Sequence, residues 1–299
     1  MSPSLVSPET MQRIRQIELR TRKLVDASFA GAYHSVFKGR GLAFESVRPY
    51  QPGDSVRDID WNVTARNDEA YVKNYAEERE LTVVLVLDSS ASCLFGTVKQ
   101  HKCDLAAEVG AVLALAAARN NDKVGVMVFS DQVERFIPPR KGRNHVLRVI
   151  GELLAAHPAR STTNLPAALQ SLNRLLKQRA IIFLMSDFLA APQEYARELL
   201  VLGRRHDVIA IVLSDPREKA WPSVGLVGLK DAETGAEHWV DTSSQAWQQR
   251  FARQTVRFQQ LRDSVLAKAR ADRIDLSVDD DYVKALTAFF RRRERQLSR

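Results

Sequence analysis

Two cysteines in 299 residues, Cys93 and Cys103, are too few for a disulfide scaffold or a four-cysteine zinc site. No apolar stretch approaches the roughly 20 residues that span a bilayer. The longest, around Ala106 to Ala118, is Ala-rich and interrupted by Glu108 and Gly110. The first residues lack the charged-then-apolar-then-small order of a signal peptide. Together these absences lead to the expectation of a soluble, cytoplasmic chain with no transmembrane span. Six histidines (His34, His101, His145, His157, His206 and His238) show no metal-ligand spacing. There is no Gly-x-x-x-x-Gly-Lys-Ser/Thr run and hence no nucleotide P-loop, and Gly39-Arg-Gly41 lacks the third glycine and the helix of a dinucleotide fingerprint.

The chain has 45% hydrophobic and 27% charged residues, the composition of a globular protein rather than a disordered one. Its 44 Lys and Arg against 36 Asp and Glu give a net charge of +8. Residues 291–299 (RRRERQLSR) supply half of that excess. Such a run is either a solvated helix end, where cations also suit the helix dipole, or a contact for nucleic acid, an acidic membrane surface or an acidic partner. No aromatic residue interleaves it, which argues against single-strand nucleic-acid binding.

Three segments can be distinguished. Residues 1–38 hold an amphipathic helix, with Met11, Ile14, Ile17, Leu24 and Val25 near helical spacing. Residues 39–80 are rich in Gly, Pro and charge, and read as an ordered leader packed onto the core through Phe44, Val47, Tyr50, Ile59 and Trp61. Pro52-Gly53 suits a type II turn, and Asp54 can cap the short turn that follows. The leader's Arg48, Asp54, Arg57, Asp60 and Arg66 read as a charge network locking leader to core, or as a docking surface. Residues 81–299 alternate apolar runs with helical patterns: strands near 81–87, 123–129, 134–137, 180–185, 207–213 and 273–276, and a hairpin over 224–229 and 237–240. Helices are expected near 102–119, 144–156, 165–177, 192–202, 245–271 and 280–293. That alternation predicts a doubly wound, mostly parallel sheet with helices on both faces, plus the N-terminal leader and the small hairpin.

The chemistry gathers where two buried runs stop. Leu81 to Leu87 ends in Asp88-Ser89-Ser90-Ala91-Ser92, and Ala180 to Met185 ends in Ser186-Asp187. A lone Asp-x-Ser-x-Ser is often only a helix cap. Thr163, in a loop just before a helix, and Asp187, repeating the strand-then-Asp pattern, strengthen the other reading. Open α/β sheets place ligands at the carboxyl ends of their strands, and hydroxyls with carboxylates are hard donors suited to Mg²⁺ or Mn²⁺. Neighbouring strand ends lie roughly 5 Å apart, so the two carboxylates would repel unless a cation or partner lay between them. The metal ligands expected are therefore Asp88, Ser90, Ser92, Thr163 and Asp187. An aspartyl-nucleophile phosphatase would want a second carboxylate where Ser90 stands. His101 serving Ser or Cys93 as a base is the weaker option, because neighbours on a loop need not face each other. Cys93 reads as a small residue at a helix start, a regulatory thiol being the alternative.

These residues resemble the metal-ion-dependent adhesion site of von Willebrand factor A domains. The stretch Gly41-Leu-Ala-Phe44-Glu45-Ser-Val-Arg48-Pro-Tyr50-Gln-Pro52-Gly53-Asp54-Ser-Val-Arg57-Asp-Ile59-Asp60-Trp61, with Ala65-Arg66, 77–80 (EERE) and the closing 279–290 (DDDYVKALTAFF), is similar to the bacterial "domain of unknown function 58" family. The resemblance implies a von Willebrand A (Rossmann-like) fold and no enzymatic activity. It implies a non-enzymatic adaptor working with a MoxR-type AAA+ ATPase in protein maturation or complex assembly. An acidic residue of that ATPase, or of a client protein, would fill the metal's open position. The other function class that stays open is a basic-surface module binding nucleic acid or, peripherally, a membrane. Many members carry transmembrane helices before the leader, whereas this chain has only its N-terminal amphipathic helix there.

Overall fold

The computed structural model describes residues 43–67, 69–76, 80–97, 100–156, 162–231 and 235–297, together with residues 12, 14–17, 33 and 36. The leader forms a hairpin, β1 (Ala43–Pro49) antiparallel to β2 (Tyr71–Ala76), with the short helix α1 (Trp61–Thr64) between them. Its turn is built as the sequence demands. The Asp54 amide donates to the Gln51 carbonyl at 3.0 Å, and Gly53 takes φ +111°, open only to glycine without strain. Asp54 does not cap the next turn. Its carboxylate pairs with both guanidinium nitrogens of Arg48 at 2.7 Å, and Asp60 caps α1 instead.

The expected packing of the leader is corrected in part. Trp61 is 65% exposed and Tyr50 38% exposed, while Val47 and Ile59 are half-buried. The side chains of Phe44 and Arg57 lie outside the described residues. Arg48 pairs with Asp54 and Asp60 accepts from the amides of Asn62 and Val63, all within the leader, whereas Glu80 at the leader's end pairs with Lys123 and Lys141 of the core. The N-terminal segment makes the stronger link. Ile14, Ile17, Tyr33 and Val36 are buried members of a core cluster, and the Tyr33 hydroxyl donates to Asp122 Oδ2 at 3.2 Å. Met11, Leu24 and Val25 lie outside the described residues.

The frame is a six-stranded sheet. In chain order its strands are β3 (Thr82–Asp88), β4 (Lys123–Phe129), β5 (Val133–Arg140), β6 (Ile181–Ser186), β7 (Asp207–Ser214) and β10 (Asp272–Ser277). Their spatial order is β10-β7-β6-β3-β4-β5, parallel except for β5, which runs antiparallel to β4. β5 reaches beyond its expected end, through Pro138 and Pro139, because an edge strand tolerates residues that cannot donate to a ladder. The helices are α2 (Lys102–Arg119), α3 (Arg143–Leu154), α4 (Leu165–Leu175), α5 (Pro192–Arg205), α6 (Gln245–Lys268) and α7 (Tyr282–Leu297). β8 (Leu226–Lys230) and β9 (Glu237–Asp241) form the expected hairpin.

Strand alternation splits the core in two. Val83, Leu85 and Leu87 of β3 face α2, α3 and α7, whereas Val84 and Val86 face α4, α5 and the end of α6. A sheet covered on both faces needs strands that are apolar throughout, which is why β3 and β6 read as unbroken runs. This is the doubly wound, mostly parallel α/β fold expected. Among the described residues no helix is long and apolar enough to cross a membrane.

Two residues give the core measurable signatures. Gly203 in α5 faces the end of α6, and a Cβ there would lie 2.0 Å from the Ala269 carbonyl oxygen. Helix propensity alone favours Gly203→Ala by roughly 0.5–1 kcal/mol, but the collision forces the two helices apart at about 1–3 kcal/mol. Urea unfolding should show Gly203→Ala to be the less stable protein. His206 is buried, its Nδ1 accepts from the Ala180 amide at 3.3 Å, and burial with Arg205 and Arg179 nearby pushes its pKa down from 6.5 to about 4. The unfolded chain therefore binds the extra proton between those values, and stability falls as pH drops through that window. Thermal melts between pH 7.5 and pH 4.5 should show a smaller loss in His206→Asn, whose amide oxygen can still accept from Ala180.

Candidate metal centre

β3 ends on Asp88, and Asp187 directly follows β6. These strands are parallel neighbours, with Leu87 opposite Met185. They are also where the chain reverses direction across the sheet. β3 leads through α2 to β4 on one side, while β6, β7 and β10 succeed one another on the other. That switch leaves a crevice at the carboxyl edge, the usual ligand position in open α/β sheets.

Asp88 is fully buried. Its Oδ1 accepts from the Ser90 amide at 3.0 Å and its Oδ2 from the Ser186 hydroxyl at 2.6 Å. The Ser90 and Ser92 hydroxyls lie 3.0 Å apart, at the start of the 3₁₀ turn Ala91–Leu94. On the opposite wall Phe188 takes φ 53°, a conformation costly for a bulky residue. Its buried ring packs edge-on against Tyr195 and its amide donates to Ser186 Oγ at 3.1 Å. This held turn points Asp187 at the crevice. Thr163 lies at the same edge: Asn164, next to it, donates its amide to the carbonyl of Ser130, which directly follows β4.

The residue that sequence reasoning missed is Lys102. It is completely buried at the first position of α2, and its ammonium donates to Asp187 Oδ2 at 2.7 Å and to Glu218 Oε1 at 2.6 Å. Glu218 Oε2 accepts from the Asp215 amide at 3.0 Å, and Asp215 in turn accepts from the Thr97 amide at 2.8 Å and hydroxyl at 2.7 Å. Three loops are thus tied together behind the crevice. A signal for part of this exists in the sequence, since β7 also ends in Ser214-Asp215, as β6 does in Ser186-Asp187. The signal for Lys102 is fainter: a cation in the first turn of an Ala-rich helix, where the dipole opposes it.

The electrostatics follow from burial. Asp88 is raised from 3.8 to about 7 by desolvation and then by the Asp187 charge, against the pull of its Ser186 and Ser90 hydrogen bonds. Burial alone would lower Lys102, but Asp187 and Glu218 outweigh it and hold it firmly charged. Cys93 is buried, donates its Sγ to the Asp88 carbonyl at 3.2 Å, and is pushed far above a reactive thiol by burial and the carboxylates. That favours the small packing residue over the regulatory thiol.

A divalent ion fits the chemistry of this donor set. Two carboxylates and the serine hydroxyls are hard oxygen donors, each carboxylate oxygen retains a free lone pair, and the buried carboxylates are only partly compensated by one ammonium. Among the described residues no group of three or more His, Cys, Asp or Glu is placed to hold a metal ion by itself. The set instead combines Asp88 and Asp187 with Ser90 and Ser92. Lys102 is the competing cation, already seated on Asp187.

Removing one partner of a buried pair leaves the other charge stranded, at about 3–5 kcal/mol. Lys102→Met should therefore lower the urea-unfolding free energy by that order. Glu218→Gln, in a side chain that keeps 20% exposure, should cost clearly less.

Comparison with known proteins shows the family and the fold of the chain. An uncharacterized protein of Mycobacterium tuberculosis is 34% identical over 248 residues, 78% of each chain. The structure of an aerotolerance-related membrane protein from Bacteroides fragilis, with multiple mutations to serines, covers 72% of this chain and 99% of its own at 15% identity and a TM-score of 0.50. It is similar in fold. The SpRpn10 VWA domain is a more distant likeness, covering 69% of this chain and 93% of its own at 10% identity and a TM-score of 0.38. The family model "Protein of unknown function DUF58" matches residues 46–261, and the chain belongs to that family.

Proposed function

We propose that this chain is a non-enzymatic, metal-dependent protein-interaction module, an adaptor that works with a MoxR-type AAA+ ATPase in protein maturation or complex assembly. One observation carries the reading: Asp88, Ser90, Ser92 and Asp187 converge at the switch point of the sheet, with Thr163 at the same edge. Asp88 and Asp187 would hold Mg²⁺ or Mn²⁺ on the charged side, and Ser90, Ser92 and Thr163 would add neutral oxygens. A bound divalent ion supplies an open coordination position for an aspartate or glutamate of the partner. The hydroxyls add no negative charge, so an arriving carboxylate meets less repulsion than a site of carboxylates alone would give. Ser186 fixes Asp88 and the Phe188 turn fixes Asp187, so both carboxylates are oriented in advance. The ATPase assignment rests on family resemblance, whereas the acidic ligand rests on the donor chemistry.

A second reading has its own observation. Arg291, Arg292 and Arg295 on α7 line one shallow surface depression. Arg293 is not part of it, since it pairs with Asp207 and Asp272 and so fastens α7 to β7 and β10. The remaining arginines offer a basic surface to nucleic acid or an acidic membrane.

A pull-down of a MoxR-type ATPase from the same genome separates the two. Retention in Mg²⁺ should be lost with chelator, with Asp88→Ala and with Ser92→Ala, while circular dichroism of each variant stays native. Retention that survives chelator and Asp88→Ala, yet fades steeply as salt rises, would reject the metal bridge in favour of the arginine surface.

A further inference from the structure

A cleft of about 900 Å³ opens beside the candidate metal centre, and Asp187 and Glu218 form part of its wall. One side is α6. This helix has 24 residues, of which only Arg262 and Leu266 are buried, so most of its surface is unused by the fold. Phe251, Thr255 and Phe258 follow one another at helical spacing along the cleft wall, each half-buried. The Trp247 ring stacks on Phe251 at 5.3 Å and extends the aromatic strip. Trp221, Leu229 and Phe95 line the same cleft. A pocket of this size with apolar walls and a few polar groups has the proportions of a ligand site.

The charges in the cleft decide what it takes. Arg262 is paired with Asp263, Arg273 with Asp263 and Asp275, and Lys102 with Asp187 and Glu218. Asp231 also has a partner. Arg217 and Lys219 differ: both are exposed on the turn that carries Glu218, and neither has an ion pair among the described residues. Lys102 is shared by two carboxylates, so the lining as a whole is close to neutral, and Arg217 and Lys219 are the cations that an occupant meets beside the aromatic wall.

We infer that this cleft binds an extended acidic-aromatic peptide segment of the partner protein. Its apolar side chains lie on Phe251 and Phe258, its acidic residues face Arg217 and Lys219, and its leading carboxylate points to the Asp187 end. The inference rests on the reading of the crevice as a carboxylate-capturing site, and it names the chemistry of the segment around the captured residue. It also accounts for an otherwise idle helix face opening onto the same crevice.

The probe is a fluorescein-labelled peptide, Asp-Phe-Leu-Glu-Phe-Leu-Asp, followed by fluorescence anisotropy with the full chain in Mg²⁺. Its counterpart has Lys in place of each acid. The acidic peptide should bind, and the basic one should bind weaker by roughly tenfold or more. Thr255→Trp, which fills the cleft, and the exposed double variant Arg217→Glu/Lys219→Glu should each weaken binding by a similar factor with native thermal unfolding. The double variant alone decides the matter if Thr255→Trp folds poorly. Binding lost in both cleft variants but kept in chelator and in Asp88→Ala supports the cleft and overturns the metal bridge. Binding lost with chelator but untouched by the cleft variants overturns the cleft and leaves the metal centre standing. No binding of the acidic peptide, or equal binding of both peptides, overturns the inference.

Discussion

The buried pair Asp88 and Asp187 is the constraint around which the carboxyl edge is arranged. Two carboxylates on adjacent parallel strands, out of water, are tolerated only with compensation on every side. The structure supplies it from separate loops: the Ser186 hydroxyl and Ser90 amide for Asp88, the Lys102 ammonium for Asp187, and Glu218 to share that ammonium. Each compensating group fixes its own loop. The crevice is rigid because its charges must be satisfied, and it is placed at the switch point because only there do two strand ends diverge into separate connections.

Compensation by a tethered lysine has a consequence for affinity. An ion entering between Asp88 and Asp187 meets an ammonium 2.7 Å from one of its ligands. Either that lysine yields to Glu218 alone or it stays and repels the ion, and both routes lower metal affinity relative to a site without it. On the proposed reading, a weak site of this kind would be completed by the partner's own carboxylate, and metal and partner binding would reinforce each other. Lys102 thus stabilises the fold described here, and on the proposed reading it would also be a brake on metal binding without a partner.

How much of this was legible in the sequence depends on the range of the interaction. The strands were readable because burial on both faces writes itself as an unbroken apolar run, and Asp88 and Asp187 stand where those runs stop. α2 was found with its observed bounds because its Ala-rich apolar run is a local pattern. Lys102 was not found, because its meaning comes from residues 85 and 116 positions away that only the fold brings near. The leader misled for the opposite reason. Its aromatics look like core residues by composition, yet Trp61 begins a four-residue helix at the surface, where no sheet face covers it. Aromatic content predicts burial only when an element presents the ring to another layer. The N-terminal segment, with fewer aromatics, supplies Tyr33 to the core instead.

Exposed apolar groups follow a pattern once the site is known. Trp61 and Val56 on the leader, and Leu226 and Trp239 on the β8–β9 hairpin, lie on elements outside the central sheet. Among the described residues, the two core clusters of the six-stranded frame are built from the sheet, its helix layers and the N-terminal segment, and no buried member comes from either hairpin. Elements that a fold does not need for stability, and that keep large apolar side chains in water, are maintained against an energetic cost. The proposed partner surface would account for both, and the half-buried aromatic stripe of α6 lines the same cleft as Asp187. Recognition then divides by chemistry. In the proposed function the crevice would select a carboxylate and the cleft what flanks it, and a ligand offering only one of the two would forfeit the contacts of the other.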